Sequence, residues 1–448
     1  MNLPLKGVRI VEMGQLIAIP HASKLLADMG AEVIRIESCV RLDGYRTSSI
    51  YGNTDEGRFW DRAANFYEQN RNKMSLTLDL TKPEGLGTLK ELICVSDVFA
   101  ENFTPRVMRN FGLEYDDIRK LKPDIIMVSS TGYGYVGPWS DFGAIGYTTE
   151  AASGLAHITG YEDGPPVLPE IPYADYTAAE HTVFAVMAAL VYRAHTGLGQ
   201  FIDVSQSETL TSTIPEAMLD FTVNGRAPKR IGNGDPNTAP HGCYPCEGED
   251  RWIAIAAQTD DEWRGLCEVL EMSGPAADPR FEHARLRLAN RKELDELIEA
   301  ATACWDQHEL MRALQQRGVP AGAVLNGKQM LFDVHLEDRG FYELVRHDET
   351  TGMPALPYAS RPWRLSRTPG GARTPAPIFG KHNRKVLHEI LGMSEDDVSR
   401  LEEQGVIGDE PIDPRQPTIL SLDDQKRQGR IIEYEEDFRE RLSDRFET

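Results

Sequence analysis

Several features that would quickly assign a function are missing from this sequence. Its 448 residues include only six cysteines, scattered over the whole length. Cys39, Cys94, Cys267 and Cys304 stand alone and read as small hydrophobes. Cys243 and Cys246 form one C-x-x-C with His241 nearby, but a structural zinc site normally takes a second ligand pair. No metal is therefore expected. The same stretch does not open a thioredoxin-like βαβ unit, so nothing supports a redox pair. No apolar run reaches the roughly 18 residues of a membrane span, and the opening Met-Asn-Leu-Pro-Leu-Lys-Gly has no secretory apolar segment. The expectation is a cytoplasmic protein with no membrane partner. Positive charge is scarce: 48 Lys and Arg against 70 Asp and Glu leave a net charge of −22. Such a chain is a poor partner for nucleic acid or anionic membranes, and an anionic substrate would need a local basic patch. There is no internal repeat, no low-complexity tract and no G-x-G-x-x-G. The first turn reads Gly-Gln-Leu-Ile-Ala-Ile-Pro over 14–20, which argues against a standard dinucleotide grip.

What is present points to an α/β protein. An apolar content of 41% is ordinary for a globular chain, and the length predicts two or three domains. Residues 8–13 read as a strand, 20–29 as a helix and 31–37 as a second strand, a β-α-β opening suited to a doubly wound sheet. Residues 38–72 are polar and loop-rich. Strands follow near 74–80, 96–103 and 125–129, with a helix over 83–95. Residues 130–138 are glycine-rich. A helix is predicted over 206–223 after a strand at 201–204. Residues 225–241, rich in Gly, Pro and Asn, read as a linker. A second unit begins near 251, with helices near 259–270, 291–301 and 307–317 and a turn and strand over 319–325. Residues 345–380 are Pro-rich and irregular, and two short helices near 382–391 and 394–404 follow. From about Gly408 the composition turns acidic and charge-mixed, which fits a solvated tail or surface helix better than a docking arm.

One stretch carries chemistry. Pro172-Tyr-Ala-Asp-Tyr176 runs into an Ala-rich segment with Ala178, Val183, Val186, Met187 and Leu190 at helical spacing. Asp175 stands where an N-cap is expected. The same carboxylate at a helix N-terminus can also be held ionised by the dipole and act as a nucleophile. The local pattern leaves both readings open.

Taken together, the residues resemble the class III CoA-transferases, the group of formyl-CoA and carnitine CoA-transferases and α-methylacyl-CoA racemase. The resemblance runs from about Leu5 to Ile407. It rests on Leu5-Lys-Gly-Val-Arg-Ile-Val-Glu, Met29-Gly-Ala-Glu-Val-Ile-Arg-Ile-Glu37, Asp43-Gly-Tyr-Arg46, Asn70-Arg-Asn-Lys73, Glu101-Asn-Phe103, Gly132-Tyr-Gly134 with Gly137-Pro138, Thr196-Gly-Leu-Gly-Gln200, Gly318-Val-Pro-Ala-Gly322 and Gly380-Lys-His382. In that family the Asp before the helix leading to T-G-x-G-Q is a covalent nucleophile, which makes Asp175 the implied catalytic residue. The resemblance also implies a Rossmann-like large domain built from both chain ends, a smaller α+β middle domain and two interlocked chains, identical or related. The implied division is 1–224 and 341–407 for the large domain, 225–340 for the middle domain with its linkers, and 408–448 as an acidic extension.

A CoA thioester is then expected as substrate, with no permanently bound cofactor. Arg46, Lys73, Asn102, Arg106 and Arg109 are the candidates for holding CoA. Ile17, Tyr133, Gly134, Tyr135 and Tyr173 are candidates for the acid pocket, with Trp139 beside them. Gly132–Gly137 backbone is a candidate oxyanion donor. Racemases of the group pair the Asp with a His about thirty residues earlier, where this chain has Ile145, and neither His157 nor Glu150 stands at that place. Transfer is therefore expected over racemisation, because a two-base exchange lacks one partner. The segment Ala239–Trp252 resembles the subgroup around succinyl-CoA:benzylsuccinate CoA-transferase, which suggests succinyl-CoA as donor and a dicarboxylic or aryl-substituted acid as acceptor.

Overall fold

The computed structural model describes residues 3–446. The chain forms two compact units. The first comprises 1–153, 169–215 and 335–448, and the second 154–168 and 216–334.

The first unit is built on six parallel strands: β1 Arg9–Met13, β2 Glu32–Glu37, β3 Lys73–Thr77, β4 Val98–Glu101, β5 Ile126–Thr131 and β6 Gln200–Ser205. Their order is β3-β2-β1-β4-β5-β6, so the winding reverses between β1 and β4. Helices between the strands are α1 Ala18–Asp28, α2 Ala64–Asn70, α3 Pro83–Cys94, α4 Pro105–Phe111, α5 Tyr115–Leu121 and α6 Gly146–Ser153. After the short α7 Leu155–Ile158 of the second unit come α8 Tyr173–Thr196, α9 Gln206–Thr211 and α10 Pro215–Asn224.

Both faces of the sheet are covered, as a parallel sheet requires. Alternate side chains go to opposite sides. Ile10, Val33, Val98, Ile126 and Val204 pack with Ile19, Leu26, Ala178, Val186 and Ala189 of α1 and α8. Val11, Ile34, Leu76, Phe99 and Met127 pack on the other face with Leu89 and Leu92 of α3 and with Val386, Leu387 and Leu401 from near the chain end.

Three local expectations change. The helix predicted over 206–223 is two helices, α9 and α10, because Pro215 disfavours helical backbone at the residue before it. The Pro-rich stretch near 345–380 carries part of an antiparallel pair of strands, Tyr342–Val345 with Leu356–Ala359. Helices α4, α5 and α6 were not marked by the sequence pattern. After Gly408 the chain is anchored at a few points, with Ile412 N–H donating to Cys39 O, Asn53 Nδ2 to Leu420 O, and Arg58 paired with Glu410, and two surface helices, Leu422–Arg427 and Phe438–Phe446, follow.

A buried charge network ties β1, β2 and β3 together. Arg35 pairs with Glu12 and Asp43, Arg46 with Glu37 and Asp61, and Lys73 with Glu12 at 2.7 Å. All the donor contacts of Arg46 and Lys73 are internal. Arg46 also donates to Trp60 O and Pro377 O, and the three Nζ protons of Lys73 go to Glu12, Pro20 O and Asn70 Oδ1. Both side chains are fully buried. This corrects the expectation that Arg46 and Lys73 grip CoA: their hydrogen-bonding capacity is spent inside the fold, where an unpaired charge would be costly.

The second unit carries an antiparallel sheet of β7 His241–Pro245, β8 Trp252–Ala256 and β9 Ala321–Ala323. Helices Asp260–Val269, Arg291–Thr302 and Gln307–Gln316 cover it, burying Trp263, Leu266, Leu294, Ile298, Leu310 and Leu314. Thr259 and Glu262 form a reciprocal cap at the first of these helices. Burial raises the thiols of Cys243 and Cys246 above their ordinary pKa. Among the described residues no group of three or more His, Cys, Asp or Glu is placed to hold a metal ion, and no helix is long and apolar enough to cross a membrane.

Candidate active site

Asp175 is the third residue of α8, not its N-cap. The expected capping role is thereby corrected, because Pro172 holds the cap position and the helix has already begun at Tyr173. The Asp175 carboxylate instead accepts the N–H of Ala18, the first residue of α1. It thus sits at the positive end of a neighbouring helix. Gln206 Nε2 of α9 donates to its Oδ1 at 3.3 Å. Gly146 lies directly against it: a Cβ there would fall 2.7 Å from Asp175 Oδ2. Burial pushes the carboxyl up to about 6, with the nearby Glu150 adding to the rise and the Ala18 N–H and Gln206 opposing it.

A cavity of 180 Å³ opens beside this carboxylate. It is lined by Gln15, Leu16, Asn102, Phe103, Thr104, Thr131 and Gly132 from the strand ends. Ser140, Phe142, Ala144, Ile145 and Gly146 complete it from the loop before α6, with Asp175 and Gln206. Asp175 is its one charged lining residue. The cavity lies outside the carboxyl ends of β1, β4 and β5, at the reversal of strand order, where open parallel sheets hold their ligands. The turn after β1 is pinned there: Gln15 N–H donates to Asn102 Oδ1 at 2.8 Å and Asn102 Nδ2 to Gln15 O at 2.9 Å. Leu16 takes φ 60°, a left-handed conformation unusual for leucine; such strain persists where the surroundings enforce it.

A second crevice of 360 Å³ adjoins the ends of β1–β3 and shares Gln15 and Phe103 with the first. Ile36, Val40, Leu78, Leu80, Val107 and Phe111 give it apolar walls, and Arg41 stands on its edge. Arg41 and Arg106 are exposed and have no ion-pair partner among the described residues. Sequence reading missed Arg41. Its place just past β2, at a strand end, is the signal that could have found it.

The other expected site residues fare differently. Asn102 lines the cavity, with its amide engaged by Gln15. Arg109 is exposed and paired with Asp141 at 2.7 Å. Ile17 is buried ahead of α1, and its neighbours Gln15 and Leu16 line the cavity in its place. Tyr133 packs edge-on against Trp139 and Phe142, and only Phe142 reaches the cavity. Gly134 is buried at a turn beside Ser205. The Tyr135 ring packs on Phe201 and its hydroxyl donates to Glu114. Tyr173 is 47% exposed. Ile17, Tyr133, Gly134, Tyr135 and Tyr173 are therefore corrected as lining groups: none lines this cavity, Tyr133 and Tyr135 being packed on other aromatic rings and Ile17 buried. Gly132 does line it, with no room for a side chain: a Cβ would meet Ala144 Cβ at 2.2 Å.

Comparison with known proteins places the chain in a family. The sequence model of CoA-transferase family III matches residues 5–383. The chain is 34% identical over 404 residues to the succinyl-CoA–D-citramalate CoA-transferase of Chloroflexus aurantiacus, covering 90% of this chain and 98% of that protein. It is 31% identical over 388 residues to the succinate–glutarate CoA-transferase of Agrobacterium fabrum, covering 86% and 96%. The fold matches a crystal structure of a CaiB/BaiF family protein from Brucella suis with TM-score 0.78 and 29% identity, over 87% of this chain and all of that one. The chain belongs to CoA-transferase family III. It is an enzyme that moves CoA between an acyl-CoA and a carboxylic acid.

Proposed function

We propose that the transfer runs through covalent intermediates on Asp175. The carboxylate attacks the thioester carbonyl of an acyl-CoA, forming an acyl-aspartyl anhydride and releasing CoA thiolate. The thiolate attacks the aspartyl carbonyl, giving an aspartyl–CoA thioester and the free donor acid. The acceptor carboxylate reverses these two steps and leaves as the new acyl-CoA. Anhydride and thioester both preserve the activation of the acyl group, so no nucleotide is consumed. The observation that carries this reading is the placement of Asp175: a half-buried carboxylate raised to about 6, facing a cavity at the strand ends. Such a group is ionised at neutral pH yet poorly solvated, as a nucleophile requires. The Ala18 N–H and Gln206 Nε2, already aimed at this carboxylate, are donors for the oxyanions formed on its carbonyl. CoA spans the two adjoining cavities, its adenosine between the apolar walls near Leu78 and Phe111, its phosphates by Arg41 and Arg106, and its thiol end past Asn102.

The two named relatives act on succinate or succinyl-CoA with a second dicarboxylic acid. This supports succinyl-CoA as donor and a dicarboxylic acid as acceptor, with an aryl-substituted acid as the alternative. Two chains act together: α8 presents Phe184, Met187 and Val191 on an exposed face, which suits the paired assembly. Light scattering of the purified chain separates a homodimer from one that needs a related subunit.

Racemisation is the second reading. It is disfavoured by Ile145, which lines the cavity one residue before Gly146, where a second base would stand. Incubation with succinyl-CoA and then hydroxylamine tests the proposal. A hydroxamate mapping to Asp175, absent from Asp175→Ala, is expected. No label from any of a panel of acyl-CoAs, together with α-carbon deuterium exchange, overturns transfer in favour of racemisation.

A further inference from the structure

Helix α8 begins without a cap of its own, since Pro172 offers no side-chain acceptor. A helix start leaves N–H groups that must find partners. They find Glu150, from α6. Its Oε1 accepts the Tyr173 N–H at 2.7 Å, and the Ala174 N–H also bonds this carboxyl. Glu150 is fully buried, and its Oε2 has no hydrogen-bond partner among the described residues. One carboxylate from a distant helix therefore closes the first turn of α8, and Asp175 follows Ala174 in that same turn.

We propose that Glu150 is a positioning residue for the transfer reaction, holding the first turn of α8 so that Asp175 faces the cavity and, as a second buried anion, making the ionised nucleophile less stable and more reactive. This rests on the reading of Asp175 as nucleophile. Acylation turns the Asp175 carboxylate into a neutral anhydride and then a neutral thioester. Repulsion from Glu150 is felt in the free enzyme and is gone in both covalent states. An interaction that weighs on the ground state and vanishes along the reaction lowers the barrier. A carboxylate that binds its proton more tightly is also a better nucleophile.

No basic side chain among the groups that set the Asp175 titration offsets this repulsion. Asp175 meets Ala18 N–H from α1, Gln206 from α9 and Glu150 from α6, and the phenols of Tyr45 and Tyr176 feel its charge. No Lys, Arg or His is among the groups that set its titration. Burial raises Glu150 itself, while the Tyr173 and Ala174 N–H groups hold it down.

The bland alternative is that Glu150 only caps a helix. Glu150→Gln separates the two, because it keeps an acceptor oxygen for Tyr173 and Ala174 and removes the charge. The expected result is an acid limb of kcat shifted to lower pH, an unchanged or higher Tm, and a fall in plateau kcat of about threefold per unit of pKa lost, taking the nucleophile slope known for thiolates. Glu150→Ala is expected to lower Tm and kcat further, since the cap is lost as well. Independently of turnover, the infrared carbonyl band of protonated Asp175, identified by its absence from Asp175→Asn, should titrate at lower pH in Glu150→Gln than in the wild type. If the wild type forms the Asp175 hydroxamate but this band and the acid limb do not move in Glu150→Gln, the proposal alone is overturned. If Asp175 takes up no acyl group, the nucleophile reading fails and this proposal fails with it.

Discussion

Gly146 lies so close to Asp175 that a single added methyl would stand 2.7 Å from the carboxylate Oδ2 and 2.4 Å from Pro172 Cβ. The absence of a side chain at 146 is what lets the loop before α6 close against the Asp175 carboxylate. Gly146→Ala is therefore expected to move Asp175 rather than the loop alone. Misplacement on this scale costs on the order of 100-fold in kcat. Steady-state kinetics beside a thermal melt will check this: a large kcat loss with a small change in Tm is the expected pattern, and wild-type kcat would contradict the packing.

Activity should fall as pH drops through about 6, because the carboxyl titrates there and only its ionised form attacks. A kcat profile in succinyl-CoA measures this directly. An acid limb near pH 4, the range of an ordinary carboxylate, would mean that burial does not govern Asp175.

The same shift has a consequence for stability. The folded pKa of Asp175 lies at about 6 against an ordinary 3.8, so the unfolded chain binds fewer protons between these values. Stability is then lost as pH rises through this window. Asp175→Asn should be more stable than the wild type at neutral pH, by about 1–3 kcal/mol. The gain should shrink to near zero below pH 4. Urea melts at both pH values test it, and a variant less stable than the wild type at neutral pH would reverse the sign.

Lys73 and Arg41 should separate folding from binding. Lys73→Met leaves Glu12 buried with Arg35 as its remaining cation and the Ser23 hydroxyl as a donor and is expected to cost about 3 kcal/mol of stability. Arg41→Ala removes an exposed cation at the crevice edge and should weaken CoA binding by about fivefold, roughly 1 kcal/mol, with Tm unchanged. Calorimetric titration of CoA into both variants checks the assignment. A Lys73 variant with normal stability but lost CoA affinity would restore the direct-contact role.

The C-terminal stretch should protect Cys39. Gly408 packs on its Sγ and Ile412 N–H donates to its carbonyl. Removing the chain after Gly408 is expected to speed labelling of Cys39 by a thiol reagent and to lower Tm. Labelling at the wild-type rate would show that this stretch does not shield it.

The sequence by itself determined the β-α-β opening, the parallel sheet and the helix that carries Asp175. These depend on neighbours in the chain: apolar residues at period two or at helical spacing, and Pro and Gly at the boundaries. Pattern and family resemblance together singled out Asp175, and pattern placed the helix start within a few residues. What the tertiary structure decided was set by contacts between residues far apart. Glu150 caps α8 from 23 positions away. Arg46 looked like a surface cation and is buried because Glu37, Asp61 and the carbonyl of Pro377, 331 residues on, enclose it. Tyr133, Tyr135 and Tyr173 are where the sequence suggested a pocket, but packing gives the cavity wall to Phe142, Ile145 and Gln206. Local pattern encodes which backbone segments form. Which side chains meet at the strand ends, and which charges are spent inside, follows only once long-range burial makes an unpaired polar group too costly to leave alone.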